Sequence, residues 1–162
     1  FFPLYPQYSA PTTATANDQA FRALMQERWQ PAFRTVPAYH DHPLYIEALA
    51  QSVERSVGAT RPDVLVCSYH GLPERYLRGG DPYHCQCAKT TRLLRERLGL
   101  TEQQLVMTFQ SRFGRAKWLE PATDTVIGEE AAQGGADASS RGASAPETPA
   151  ARLAMTEAIF CA

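Results

Sequence analysis

The chain has 162 residues, 44% hydrophobic and 20% charged, enough apolar material for one ordinary domain with a true core. Its 16 Lys and Arg stand against 17 Asp and Glu, so it has no net field for gathering nucleic acid and a basic-groove function is disfavoured. No apolar run approaches a membrane span, no signal-peptide pattern is legible, and Cys67, Cys85, Cys87 and Cys161 make no disulfide framework, which fits a reducing cytoplasm.

The opening Phe1-Phe2-Pro3, without an initiator Met, suggests a piece of something longer. Residues 1–16 mix aromatics, prolines and small polar residues without a helical period, and predict an extended segment and a loop. Asn17 or Asp18 then caps a helix to about Trp29, with Phe21, Leu24 and Met25 on its inward face; Pro31 stops it. "FRTVPAY", 33–39, is strand-like, with Pro37 marking an edge or an end. Asp41 caps the next helix, Pro43 lies in its first turn, Tyr45, Leu49, Val53 and Val57 form its buried stripe, and Gly58 closes it.

The apolar stretch 63–68 predicts a strand covered on both faces. A helix follows from about Gln86 to Leu98, with Gly99 as its cap and Leu93, Leu94 and Leu98 inward; "QLVMTFQSR", 104–112, is the next strand. Helices and strands alternate, which is an α/β order with a parallel sheet. A further helix starts near Thr123-Asp124. From about Gly134 the text turns to Ala, Gly, Ser and Pro, with a short apolar patch at 154–160. That composition predicts a weakly ordered tail and no further strand, leaving the sheet with an open edge.

Ligands of an open parallel sheet bind beyond the carboxyl ends of its strands. His70 and the Gln110-Ser111-Arg112 turn both lie just past such ends. By its residue type alone, His70 is either a histidine hydrogen-bonded within its loop or a metal ligand and proton acceptor. Gly71 permits close backbone approach and Pro73 stiffens the turn, which favours a built site. Tyr5, Tyr8, Tyr69, Phe109, Phe113 and Trp118 are dense near the same rim; they are either core or the walls of a site for a flat aromatic ligand. "YHCQC", 83–87, offers His84, Cys85 and Cys87 to a soft metal, but a closed zinc or iron–sulfur site needs four ligands.

Four ordered blocks carry a resemblance: "LYPQYSAPTT" (4–13), "SYHGLPERY" (68–76), "GDPYHCQC" (80–87) and "TFQSRFGRAKWLEPATD" (108–124). Together they resemble the ferrochelatase family, in its proteobacterial form, over about residues 1–130. The resemblance implies a chelatase-like fold of two Rossmann-like α/β lobes with parallel sheets and helices on both faces, incomplete here. Residues 1–40 would be the end of the first lobe and the crossover, 41–130 the front of the second lobe, and 131–162 an atypical tail. It implies insertion of Fe2+ into protoporphyrin IX to form protoheme, with both as partners, no organic cofactor and no nucleic acid. His70 would be the catalytic, metal-facing residue, and Tyr5, Tyr69, Phe109, Ser111 and Trp118 the porphyrin-binding set. A cytoplasmic place with peripheral contact on the inner membrane surface is expected. The resemblance leaves the oligomeric state unknown.

Metalation needs two pyrrole protons removed and the iron's waters stripped; a neutral imidazole and apolar walls supply that chemistry without a redox step. The family's acidic partner, from a later P-G-F-x-x-D-x-x-E-T-L-like block, has no match, and Glu147 and Glu157 stand in another context. Ala10 occupies the place of the first cysteine of the family's [2Fe–2S] cluster, so that cluster is not expected. The tail from 134 reads as a frame shift or truncation product, and the isolated chain is expected to be inactive and aggregation-prone. The other readings are a porphyrin- or haem-binding remnant without turnover, and a small metal-binding module through Cys85 and Cys87.

Overall fold

Strands β1 (Leu65–His70), β2 (Leu105–Gln110) and β3 (Ala154–Thr156) form one parallel sheet in the order β2-β1-β3 in the computed structural model, which describes residues 1–58, 62–140 and 154–156. Pairing with β2 runs the whole length of β1, from Leu65 opposite Leu105 to His70 opposite Gln110. The central place of β1 follows from its sequence: Leu65 to Tyr69 are all buried, as a strand covered on both faces requires. Its faces differ. Leu65, Cys67 and Tyr69 join Ala50, Val53, Leu94 and Phe109 in the main core. On the other face, the hydroxyls of Ser68 and Thr108 lie 2.9 and 2.8 Å from that of Thr123, so a buried polar strip is satisfied within itself.

Among the described residues the helices are α1 (Thr15–Gln26), α2 (Pro43–Val57), α3 (Glu74–Arg78), α4 (Tyr83–Leu98) and α5 (Thr123–Ser140), and a π-helical segment at Ala10–Ala14, where a loop was expected, runs directly into α1 ahead of Asn17 and Asp18. Helix α2 begins as its Pro43 demands, but His42, not Asp41, is its cap: His42 Nδ1 accepts from the Leu44 amide at 3.3 Å. Asp41 instead meets Lys89 of α4 at 2.6 Å. The buried stripe of α2 is Ile46, Ala50 and Val53, with Tyr45, Leu49 and Val57 half-buried along its margin. Helix α4 ends as expected at Gly99, which takes the left-handed conformation (φ 66°) that closes a helix without Cβ crowding. Arg97 of α4 reaches Glu47 at 2.6 Å and Glu54 at 3.3 Å, tying α4 to α2. These exposed pairs fix orientation more than they add stability.

Three expectations are corrected. No strand forms over 33–39; that stretch is irregular and lies beside the start of the chain, Val36 donating to Phe1 O and Tyr39 to Pro6 O. Two such bonds around Pro37 are too few for a ladder. Helix α1 has no buried residue: Phe21 is 45% and Met25 75% exposed, because no described element lies over that face beyond the edge contact of Phe33 with Phe21. Finally, α5 runs through residue 134 to Ser140, and β3 pairs with Leu65, Val66 and Cys67. The edge of β1 is therefore paired along its first half by residues 154–156. The readings for 141–153 and 157–162 lie outside the described residues.

Candidate functional site

His70 is the last residue of β1 and the first exposed one after five buried positions. Beyond it the chain folds back tightly. Gly71 donates to Gln110 O at 2.8 Å, Glu74 to Lys117 O at 2.8 Å, and Leu119 to Leu72 O at 2.9 Å. Residues 71–74 and 117–119 thus strap one another, which seats Trp118 against Gly71. There is no room for a larger residue: a Cβ on Gly71 would stand 2.6 Å from Gln110 O and 3.2 Å from Trp118 Cε3. Trp118 is 8% exposed, donates through Nε1 to Phe113 O at 2.9 Å, and packs its ring 4.7 Å from that of Phe113, which is 71% exposed.

The imidazole of His70 has a defined orientation. Its Nδ1 lies 2.8 Å from Gly71 O. A carbonyl oxygen can only accept, so Nδ1 carries the proton and Nε2 of the neutral ring keeps its lone pair. The backbone is held as well, since Tyr83 Oη donates to His70 O at 3.1 Å. An exposed imidazole with one nitrogen committed and the other basic can take a proton or bind a metal.

The other expected site residues divide. Ser111 directly follows β2, exposed, with a left-handed backbone (φ 67°) unusual for a residue other than glycine. With Trp118 it shares the strand-end rim with His70. Tyr5 is half-buried on the loop that leads to Ser9. Tyr69 and Phe109 are not on the rim. They are 2% and 0% exposed, their rings lie 6.2 Å apart in the core, and Tyr69 Oη is 2.9 Å from Thr91 Oγ1. Burial pushes the Tyr69 hydroxyl well above its ordinary value. Strand alternation explains this: a neighbour of an outward histidine points inward. Both residues lie beneath the rim, in the core, rather than on its exposed surface.

Further residues flank the site, of which Lys117 was not singled out in the sequence. His84 stacks on Phe109 with ring centres 5.6 Å apart. Arg112 and Lys117, with Phe113 and Trp118, line an open hollow of about 330 Å³. Arg112 meets Asp124 at 2.7 Å and holds its carboxyl below the ordinary carboxylate range; Lys117 meets Glu74 at 2.9 Å.

The cysteine pair is not brought together. "YHCQC" is the first turn of α4 rather than a loop, and residues two apart on a helix face roughly opposite sides. Cys85 is exposed and Cys87 buried. Burial raises the Cys87 thiol far above its ordinary value and pushes that of Cys67 up to about 12. Among the described residues no group of three His, Cys, Asp or Glu side chains is placed to hold a metal ion, and no helix is long and apolar enough to cross a membrane.

A parallel sheet that brings a histidine, a Gly-Leu-Pro turn and a seated tryptophan to its carboxyl edge defines an α/β protein, and ligands of such sheets bind beyond the strand ends. The ferrochelatase family model matches residues 1–139, so the chain belongs to the ferrochelatase family. A ferrochelatase of Rhizobium etli strain CFN 42 is 61% identical over 136 residues, covering 83% of this chain and 39% of that protein. A ferrochelatase of Rhodobacter capsulatus is 66% identical over 125 residues, covering 76% of this chain and 36% of that protein. The chain thus spans about two-fifths of the length of the curated relatives it matches.

Proposed function

We propose that this chain carries the metal-inserting histidine and part of the porphyrin-facing rim of a ferrochelatase, which places Fe2+ in protoporphyrin IX to give protoheme. The observation that carries the reading is the fixed tautomer of His70: Nδ1 is committed to Gly71 O, leaving Nε2 as base or ligand. The reaction exchanges two pyrrole N–H protons for one ferrous ion, with no change of oxidation state. Nε2 takes a pyrrole proton or accepts the ion as it sheds water. Trp118, Phe113 and Tyr5 offer the flat apolar surface that holds the macrocycle and keeps water from the exchanging nitrogens. Tyr69, Phe109 and Gly71 act beneath them, by fixing where the rim lies. The iron is substrate, so no resident metal centre is needed for this reading. The compartment is proposed to be cytoplasmic, with porphyrin delivered from the membrane surface because the substrate is apolar.

The test is a porphyrin titration and a zinc-insertion assay, followed by fluorescence, on the complete protein bearing this segment. Saturable binding with insertion supports the reading. Binding without insertion in that complete protein would replace it with a porphyrin carrier.

A further inference from the structure

We propose that Asp81 is a positioning residue that joins the aromatic loop at the start of the chain to the histidine rim; this rests on the functional reading above. Asp81 stands between α3 and α4, outside any position expected for chemistry. Both its carboxylate oxygens are used. Oδ2 accepts from Ser9 Oγ at 2.9 Å and from the Ala10 amide at 2.7 Å, while Oδ1 accepts from the Tyr83 amide at 3.0 Å. Among the described residues its hydrogen-bond partners are hydroxyl and amide dipoles, at the amino end of the 16-residue helix α4. Tyr83, whose amide it fixes, sends its own hydroxyl to His70 O at 3.1 Å. A continuous path therefore runs from the loop through Asp81 and Tyr83 to the backbone of His70.

The loop needs such an anchor. Gln7 and Ser9 are 3% and 0% exposed, so their polar groups require partners from the protein. Helix α4 supplies the rest: Gln86 Oε1 accepts from the Tyr8 amide at 2.6 Å, and Gln7 Nε2 donates to Thr90 Oγ1 at 3.0 Å. Tyr5 and Tyr8, the loop's aromatics, are thereby placed by residues more than seventy positions away in sequence. Asp81 is the one member of this set that also reaches toward His70, so it sets the spacing between the ring-holding loop and the proton-accepting imidazole. It touches neither the macrocycle nor the metal.

Asp81→Asn keeps the size but turns one carboxylate oxygen into an N–H2 donor, which faces Ser9 Oγ and the Ala10 amide, or the Tyr83 amide. Ser9→Ala removes one of the three bonds alone. The first readout is amide hydrogen exchange on the folded protein. In Asp81→Asn, exchange at Ala10 and Tyr83 should quicken by about tenfold or more, while Gly71, bonded to Gln110 O, keeps its protection. The second is metal insertion by the complete protein: KM for porphyrin should rise several-fold in both variants, with a smaller change in kcat. Should Asp81→Asn fail to fold, Ser9→Ala, which leaves both amide bonds to Asp81 in place, carries the test through the rise in KM for porphyrin. Unchanged exchange at Ala10 and Tyr83, or uniform loss across β1 and β2, would overturn the proposal. So would an unchanged KM in a protein whose His70→Ala variant has lost insertion. Failure of the ferrochelatase reading shows separately, as wild-type protein that binds no porphyrin.

Discussion

Gly71→Ala is the sharpest structural perturbation available at the rim. The new methyl carbon would stand 2.6 Å from Gln110 O, a backbone atom that cannot rotate away, and 3.2 Å from Trp118 Cε3. Real Cβ contacts do not fall below 3.0 Å, so β1 and β2 must separate by at least a few tenths of an ångström at their ends. The same carbonyl receives the Gly71 amide at 2.8 Å, so the separation strains that bond too. Overpacking of this kind costs about 1–3 kcal/mol, which at about 2–4 °C per kcal/mol for a chain of this size lowers Tm by about 2–12 °C. Gly71 does not occupy the left-handed region, so the cost is contact and not backbone strain. Gly114→Ala supplies the control: φ is 69° there and nothing lies within 4 Å, so its cost of about 1–2 kcal/mol is purely conformational. Thermal unfolding and the tryptophan emission of both variants decide the matter. A Gly71→Ala protein with wild-type Tm and emission would refute the strapped geometry of 71–74 and 117–119.

Trp118→Ala should cost about 3–5 kcal/mol and weaken porphyrin binding, whereas Trp29→Ala, at 91% exposed against 8%, should change stability by about 0.5 kcal/mol or less in a urea titration. In the native protein Cys85 should react with a thiol reagent while Cys67 and Cys87 do so only on unfolding, as peptide mapping of the labelled protein will show. Burial raises the Cys67 thiol from 9.0 to about 12, so the unfolded chain loses that proton first. The stabilisation is complete below about pH 9 and falls as pH rises from there toward 12; the urea midpoint should drop over that range, and less steeply in Cys67→Ala.

Much of this arrangement was legible in the sequence because its signals are local. Val64 to Cys67 announces a buried strand, Pro43 and Gly99 mark the ends of α2 and α4, and Thr123 starts α5 where its turn chemistry places it. The position of His70 beyond β1 follows from the same strand. What was not legible depends on partners far along the chain. Tyr69 and Phe109 could be core or rim by sequence, and only the pairing of β1 with β2 places both side chains in the core. Asp81 lies in the block 80–87, but its role was not legible there, since its three donors come from residues 9, 10 and 83. The strand at Ala154–Thr156 is too short for a two-residue period to show, and only its pairing with β1 identifies it.

The assignment of His70 is tested most directly by single-turnover metal insertion in the complete protein, comparing wild type with His70→Ala and adding free imidazole to the variant. The account predicts a loss of about 100-fold or more in the insertion rate, porphyrin affinity changed little, and partial recovery with imidazole. Near-normal insertion by His70→Ala, or a variant that no longer binds porphyrin, would contradict the role given to this residue.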